Sequence, residues 1–185
     1  MKKQITINKK QGIHLTIIAA ALILLGVSAR FMPHPANVAP IGAIALFGGL
    51  YLNKRMAFVL PVAAMLVSDL FIGFYNWKTM AAVYISFLAM VGIGLVVKRH
   101  KKFSTIVGGT LLGSLLFFLI TNAAVWAFGT LYPYTIEGLL SSYAMAIPFF
   151  KNSLMGDLFY TGVLVGSMEA ILMWKHRAVP HNAQA

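Results

Sequence analysis

The sequence predicts an all-α polytopic membrane bundle of six transmembrane helices, with a short second helix and an extra interfacial helix before the sixth. Three observations carry that expectation. The 185 residues are 59% apolar and 10% charged, with a mean hydropathy of +0.81, too apolar for a soluble domain of this length. The apolar residues fall in runs near the roughly 20 residues needed to span a bilayer. The 15 lysines and arginines collect mainly in the gaps between those runs, at Lys2-Lys3, Lys9-Lys10, Lys54-Arg55, Lys98-Arg99, Lys101-Lys102, and Lys175 with Arg177.

In a soluble chain a net charge of +11 would suggest nucleic acid. Here the cations flank hydrocarbon-like segments, so the lipid bilayer is the expected partner and nucleic acid is not. The absence of cysteine excludes disulfides, thiolate metal sites and a thiol nucleophile.

Residues 1–12 form a basic N-terminal segment. The first span, 13–32, is too long for a signal peptide. It ends in Arg30-Phe31-Met32-Pro33 rather than a small-x-small cleavage site. The second apolar run, Ile41–Leu52, is short. With Asn37 as N-cap and Pro40 in the first turn, a helix over 38–53 would be about 24 Å long, against roughly 30 Å of hydrocarbon. Its N-terminus is therefore expected below the outer surface, met there by Pro33-His34-Pro35-Ala36-Asn37. Such an interrupted helix is a pointer to a binding site in transporters.

Further spans are expected at 56–74, 79–97, 104–128 and 153–174. Between the last two, Thr135–Phe150 reads as an interfacial or re-entrant helix, capped by Thr135, with Glu137 in its first turn and Pro148 limiting it. It is either a lid over an external cavity or a surface connector. The membrane domain thus covers 13–175 and a tail covers 176–185.

Charge fixes the orientation. If the short helix crosses and the N-terminus is inside, twelve of the fifteen basic residues are cytoplasmic, leaving Arg30, Lys78 and Lys151 outside. If it does not cross, the split becomes six inside to nine outside. The positive-inside rule favours six spans, an inner-membrane location and both termini in the cytoplasm. Gly109-x-x-x-Gly113 and Gly162-x-x-x-Gly166 are expected to serve internal helix contacts, with a partner interface as the alternative.

Ionisable groups inside apolar runs are costly and point to function. With this topology Asp69 lies roughly 7 Å below the outer end of its span. Asp157, Asn122 and Arg30 fall at a similar depth. Two readings stay open: a polar clasp in which Arg30 pairs with Asp69 or Asp157, and a ligand pocket open to the outside. Backbone N–H groups at the buried helix start would favour an anionic or carbonyl group on a ligand. The candidate ligand-binding residues are Arg30, His34, Asn37, Asp69, Tyr75, Asn122, Trp126 and Asp157, with Tyr75 and Trp126 as stacking walls. Glu169, alone in the inner half of span six, is expected to snorkel or pair with an interfacial cation, or to contact a cytoplasmic partner. No metal, cofactor or enzymatic activity is expected, because HExxH, GxSxG, Walker A and paired-His patterns are missing.

The stretch Arg30-Phe-Met-Pro-His-Pro-Ala-Asn-Val-Ala-Pro-Ile-Gly-Ala-Ile-Ala-Leu-Phe-Gly-Gly and the later Leu66-Val-Ser-Asp-Leu-Phe-Ile-Gly-Phe resemble a family of small bacterial membrane proteins of unassigned function. These are described as transport proteins and look related to the S components of energy-coupling factor (ECF) vitamin transporters. The resemblance implies binding of a small micronutrient from outside and a transmembrane coupling subunit driven by ATPases. Two departures stand out. The cysteine of solitary cobalamin-type members is missing, and the Ala-x-x-x-Ala of the first S-component helix is replaced by Ala19-Ala20-Ala21 and Gly26. The rival expectation is a structural scaffold subunit of the cell envelope, with a closed bundle, no cavity, and Arg30 paired directly to Asp69.

Overall fold

The computed structural model describes residues 9–32 and 38–177, with side chains from 17 to 32 and from 38 to 174. His34 and Asn37 lie outside the described residues. Among the described residues there are six α-helices, α1 (Lys9–Phe31), α2 (Ile41–Tyr51), α3 (Lys54–Ile72), α4 (Trp77–Val97), α5 (Phe103–Phe128) and α6 (Ile136–Arg177), with a 3-10 turn at Lys98–His100. There is no strand among the described residues. Four of the helices, α3 to α6, are long and apolar enough to cross a membrane.

The short helix differs from its expectation. It starts at Ile41 rather than 38 and has only 11 residues. Pro40 occupies its N-cap, and the first intrahelical bond runs from Ile44 N–H to Pro40 O at 2.8 Å. A residue before proline is pushed out of the α region, so Ala39 cannot extend the helix backwards. All residues from Ile41 to Leu50 are buried. Helix α2 is the centre of the bundle, packed against α1, α3, α4, α5 and α6. A helix that is apolar all round is stable only in such an enclosure.

The crossing of α2 and α4 is made by two glycines. A Cβ on Gly49 would lie 2.8 Å from Gly94 Cα, and one on Gly94 would lie 3.0 Å from Gly49 Cα and collide with the Leu46 carbonyl oxygen. Gly109 and Gly113 pack α5 on α4, against Ile93, Val97 and Met90, as the first small-residue motif predicts. The second motif does not follow that expectation. Gly162 and Gly166 have nothing within 4 Å of their missing Cβ positions, because they border an open groove between α5 and α6 instead of a close helix contact.

The expected separate helix before the last span is also corrected. Residues 136–177 form one 42-residue helix with Pro148 inside it. Proline removes one backbone donor and opposes helix continuation in water. Apolar bundle helices tolerate it where neighbouring groups satisfy the freed carbonyl. At about 1.5 Å per residue α6 is some 63 Å long, twice the hydrocarbon thickness.

Beside its apolar core the bundle buries polar side chains and exposes large apolar ones. Helix α3 hides Ser68 and Asp69 completely and exposes Leu70 and Phe71. Ser86, Thr110, Ser114, Ser142, Asp157 and Thr161 are likewise buried. Polar groups face the protein and hydrocarbon faces outward, the arrangement a bilayer imposes.

At the end of the bundle carrying Lys98 to Lys102, the Tyr51 hydroxyl donates to Glu169 Oε1, and Lys101 Nζ pairs with the same oxygen at 2.6 Å. Lys98 Nζ donates to Leu52 O at 3.1 Å. Glu169 thus pairs with a flanking cation, one of its expected roles. At the opposite end Asn76 caps α4, its Oδ1 accepting from Lys78 N–H at 3.0 Å and Thr79 N–H at 3.3 Å. Its Nδ2 donates to Phe128 O at 3.2 Å. Asn76→Ala is expected to lose about 1 kcal/mol of stability, read as a lower unfolding temperature in detergent micelles.

Candidate functional site

Two polar networks flank a cavity near the N-terminal end of α2. The first joins α1, α3 and α4. Arg30 Nη1 lies 2.8 Å from Asp69 Oδ1 and directs its N–H groups to Ser68 Oγ at 2.7 Å and Met65 Sδ at 3.1 Å. The Arg30–Asp69 contact is therefore an ion pair without an aligned hydrogen bond, and Oδ1 has no aligned donor among the described residues. The other oxygen, Oδ2, accepts from the Tyr84 hydroxyl at 2.8 Å. The Ser68 hydroxyl itself donates within its own helix, with Ala64 O at 2.8 Å and Met65 O at 2.9 Å.

The second network joins α2, α5 and α6. Asp157, 7% exposed, accepts at Oδ2 from the Ser114 hydroxyl at 2.7 Å. Its carboxylate presses on the first turn of α2. A Cβ on Gly42 would stand 3.0 Å from Asp157 Cγ and collide with Oδ1. Glycine at 42 is thus a steric requirement of this approach. The positive end of the α2 dipole, expected to favour an anionic or carbonyl group on a ligand, is covered by a carboxylate of the chain itself.

Between the networks lies a cavity of about 230 Å³. Arg30 and Asp157 contribute its charged lining, and Tyr75, Phe87 and Phe117 contribute aromatic surface. Phe87 and Phe117 are in ring contact, with centroids 5.0 Å apart. Arg30, Tyr75 and Asp157 are thereby brought together as the sequence predicts, with Asp69 directly behind Arg30.

Two predicted members fall elsewhere. Asn122 lines a neighbouring cavity of about 240 Å³, which shares Phe117 and Ser153 with the first. Its amide donates to Phe118 O at 2.8 Å in its own helix. Trp126 is turned away, its Nε1 donating to Pro133 O at 3.0 Å and Thr135 O at 3.1 Å. It fastens the α5–α6 loop and is no wall of the site. Sequence reasoning missed Ser68, Tyr84, Ser114, Phe117 and Gly42. Only Gly42, a glycine in the first turn of a short apolar helix, carried a readable signal.

A wider groove of about 530 Å³ runs between α5 and α6 from Lys101 and Lys102 past Gly162 and Gly166. It is the larger opening, and its charges, Lys101, Lys102 and Glu169, gather at one end, where Lys101 and Glu169 pair with each other. The smaller cavity has Arg30 and Asp157 together with three aromatic side chains in its lining. Convergent polar groups in an apolar recess are what distinguishes a ligand site from a packing fault. Among the described residues no group of His, Asp and Glu could hold a metal ion.

No curated protein and no solved structure matches the chain. Residues 10–181 match the model of a family of unknown function, DUF6580, and the chain belongs to that family.

Proposed function

We propose that this chain is an integral membrane binding protein for a small organic solute, a vitamin or related micronutrient, taken up from the outer face. The observation that carries this reading is the cavity between Arg30 and Asp157. Its 230 Å³ lies below the roughly 300–1,000 Å³ of sites for drug-sized ligands, which favours a solute of about one ring. The split of basic residues supports a multi-pass inner-membrane topology with both termini cytoplasmic, which opens the cavity's end of the bundle outward. On this reading the protein works as an S-component-like subunit, moved by a coupling subunit with ATPases, or as a solitary facilitator.

A scaffold role in the cell envelope is favoured by one observation, the direct Arg30–Asp69 pair. The cavity beside it speaks against a closed bundle. Native mass spectrometry of gently extracted protein separates the two. Wild type is expected to carry a small molecule that Phe117→Trp, which fills the cavity, loses while still folding, with an unfolding temperature that added metabolites no longer raise. Wild type free of any small molecule, and unmoved in melting by a metabolite panel, would support the scaffold.

A further inference from the structure

The two networks around the cavity differ in charge balance. Arg30 is matched by Asp69 at 2.8 Å. Asp157 has no cation within 4 Å among the described residues, whose ion pairs are Arg30–Asp69 and Lys101–Glu169. Its oxygen Oδ2 is spent on Ser114, and the residue lines the cavity. Helix α2 carries no charged side chain, and Lys151, the nearest cation along α6, is exposed. Arg30, Asp69 and Asp157 together carry one net negative charge. The dipole of α2 offsets at most about half of that. An unpaired carboxylate in an apolar recess costs several kcal/mol unless something neutralises it. A second anion in the same cavity would add to that cost. A cation would remove it, and aromatic faces strengthen the attraction.

We propose that the solute bound between Arg30 and Asp157 is positively charged, as a protonated amine or a cationic heteroaromatic ring, with Asp157 as its counter-ion and Tyr75, Phe87 and Phe117 around its apolar body. Arg30, already balanced, contributes hydrogen bonding and not net charge. This assignment rests on the binding reading above and reverses the anion preference that the buried helix start suggests by itself.

Three near-isosteric probes test it on the full chain in detergent: phenethylammonium, phenethyl alcohol and phenylacetate, each titrated while the unfolding temperature is followed. Wild type is expected to bind the ammonium at least about tenfold more tightly than the other two. Asp157→Asn, which retains a side-chain acceptor for Ser114, is expected to bring ammonium and alcohol to within about twofold. If that variant does not fold, the ranking in wild type alone decides. Phenylacetate or the alcohol binding as well as the ammonium would overturn the charge assignment and leave the binding reading intact. Silence from all three probes would also overturn the assignment. The binding reading is then judged separately, by the molecule that co-purifies with wild type.

Discussion

Exchanging Asp69 for alanine is expected to cost about 3–5 kcal/mol, because it leaves the Arg30 guanidinium without its counter-charge in a mostly closed site. The two side chains are 19% and 1% exposed, so solvent screens the pair little. The Tyr84 hydroxyl would lose its acceptor at the same time. The double variant Arg30→Met with Asp69→Leu removes both charges and is expected to recover most of the loss, since a buried pair replaced by apolar groups is often neutral. Thermal unfolding of the three proteins in the same detergent provides the comparison. A single variant as stable as wild type would mean that the pair is not a clasp. A double variant that folds yet no longer retains a solute would separate the clasp from the binding role of Arg30.

Gly94→Ala is expected to destabilise by about 1–3 kcal/mol, since its new methyl group meets backbone, which cannot rotate away. The opposing atoms are the Leu46 carbonyl oxygen and Gly49 Cα. Gly92→Ala, two residues earlier on the same helix, meets nothing within 4 Å. It is expected to be neutral or stabilising by up to about 1 kcal/mol through helix propensity. The opposite signs of two Gly→Ala changes in one helix make the measurement internally controlled. Equal melting temperatures for both variants would contradict the close α2–α4 crossing.

Helix positions were legible where an apolar run of bilayer length lay between charges. The expected spans 56–74, 79–97 and 104–128 are close to Lys54–Ile72, Trp77–Val97 and Phe103–Phe128. The continuity of α6 was not legible because an interior proline costs a helical bond and a ring clash in a soluble helix, whereas membrane helices commonly carry one without ending. At the site, Arg30, Asp69 and Asp157 were legible because charges are rare in apolar runs. Ser114 was not, because a short hydroxyl in an apolar helix usually bonds its own backbone, as Thr110, Thr121 and in part Ser114 itself do here. Tyr84 was not, because a tyrosine in an apolar run reads as an ordinary core or interfacial aromatic. Asn122 was assigned to the site by depth alone. Depth places a residue on a level but not on a face, and its amide faces its own helix carbonyl.

The enclosure of α2 also bears on how the chain enters a bilayer. A segment of 11 helical residues reaches only about 17 Å, too short to be accepted as an independent insertion unit. Its walls include α5 and α6, and α6 begins only at Ile136. Burial of Ile41–Tyr51 on all sides is therefore expected only after the C-terminal half of the chain has been made. The helices that follow it first, α3 and α4, supply most of its packing, and the last helix translated closes the remaining side.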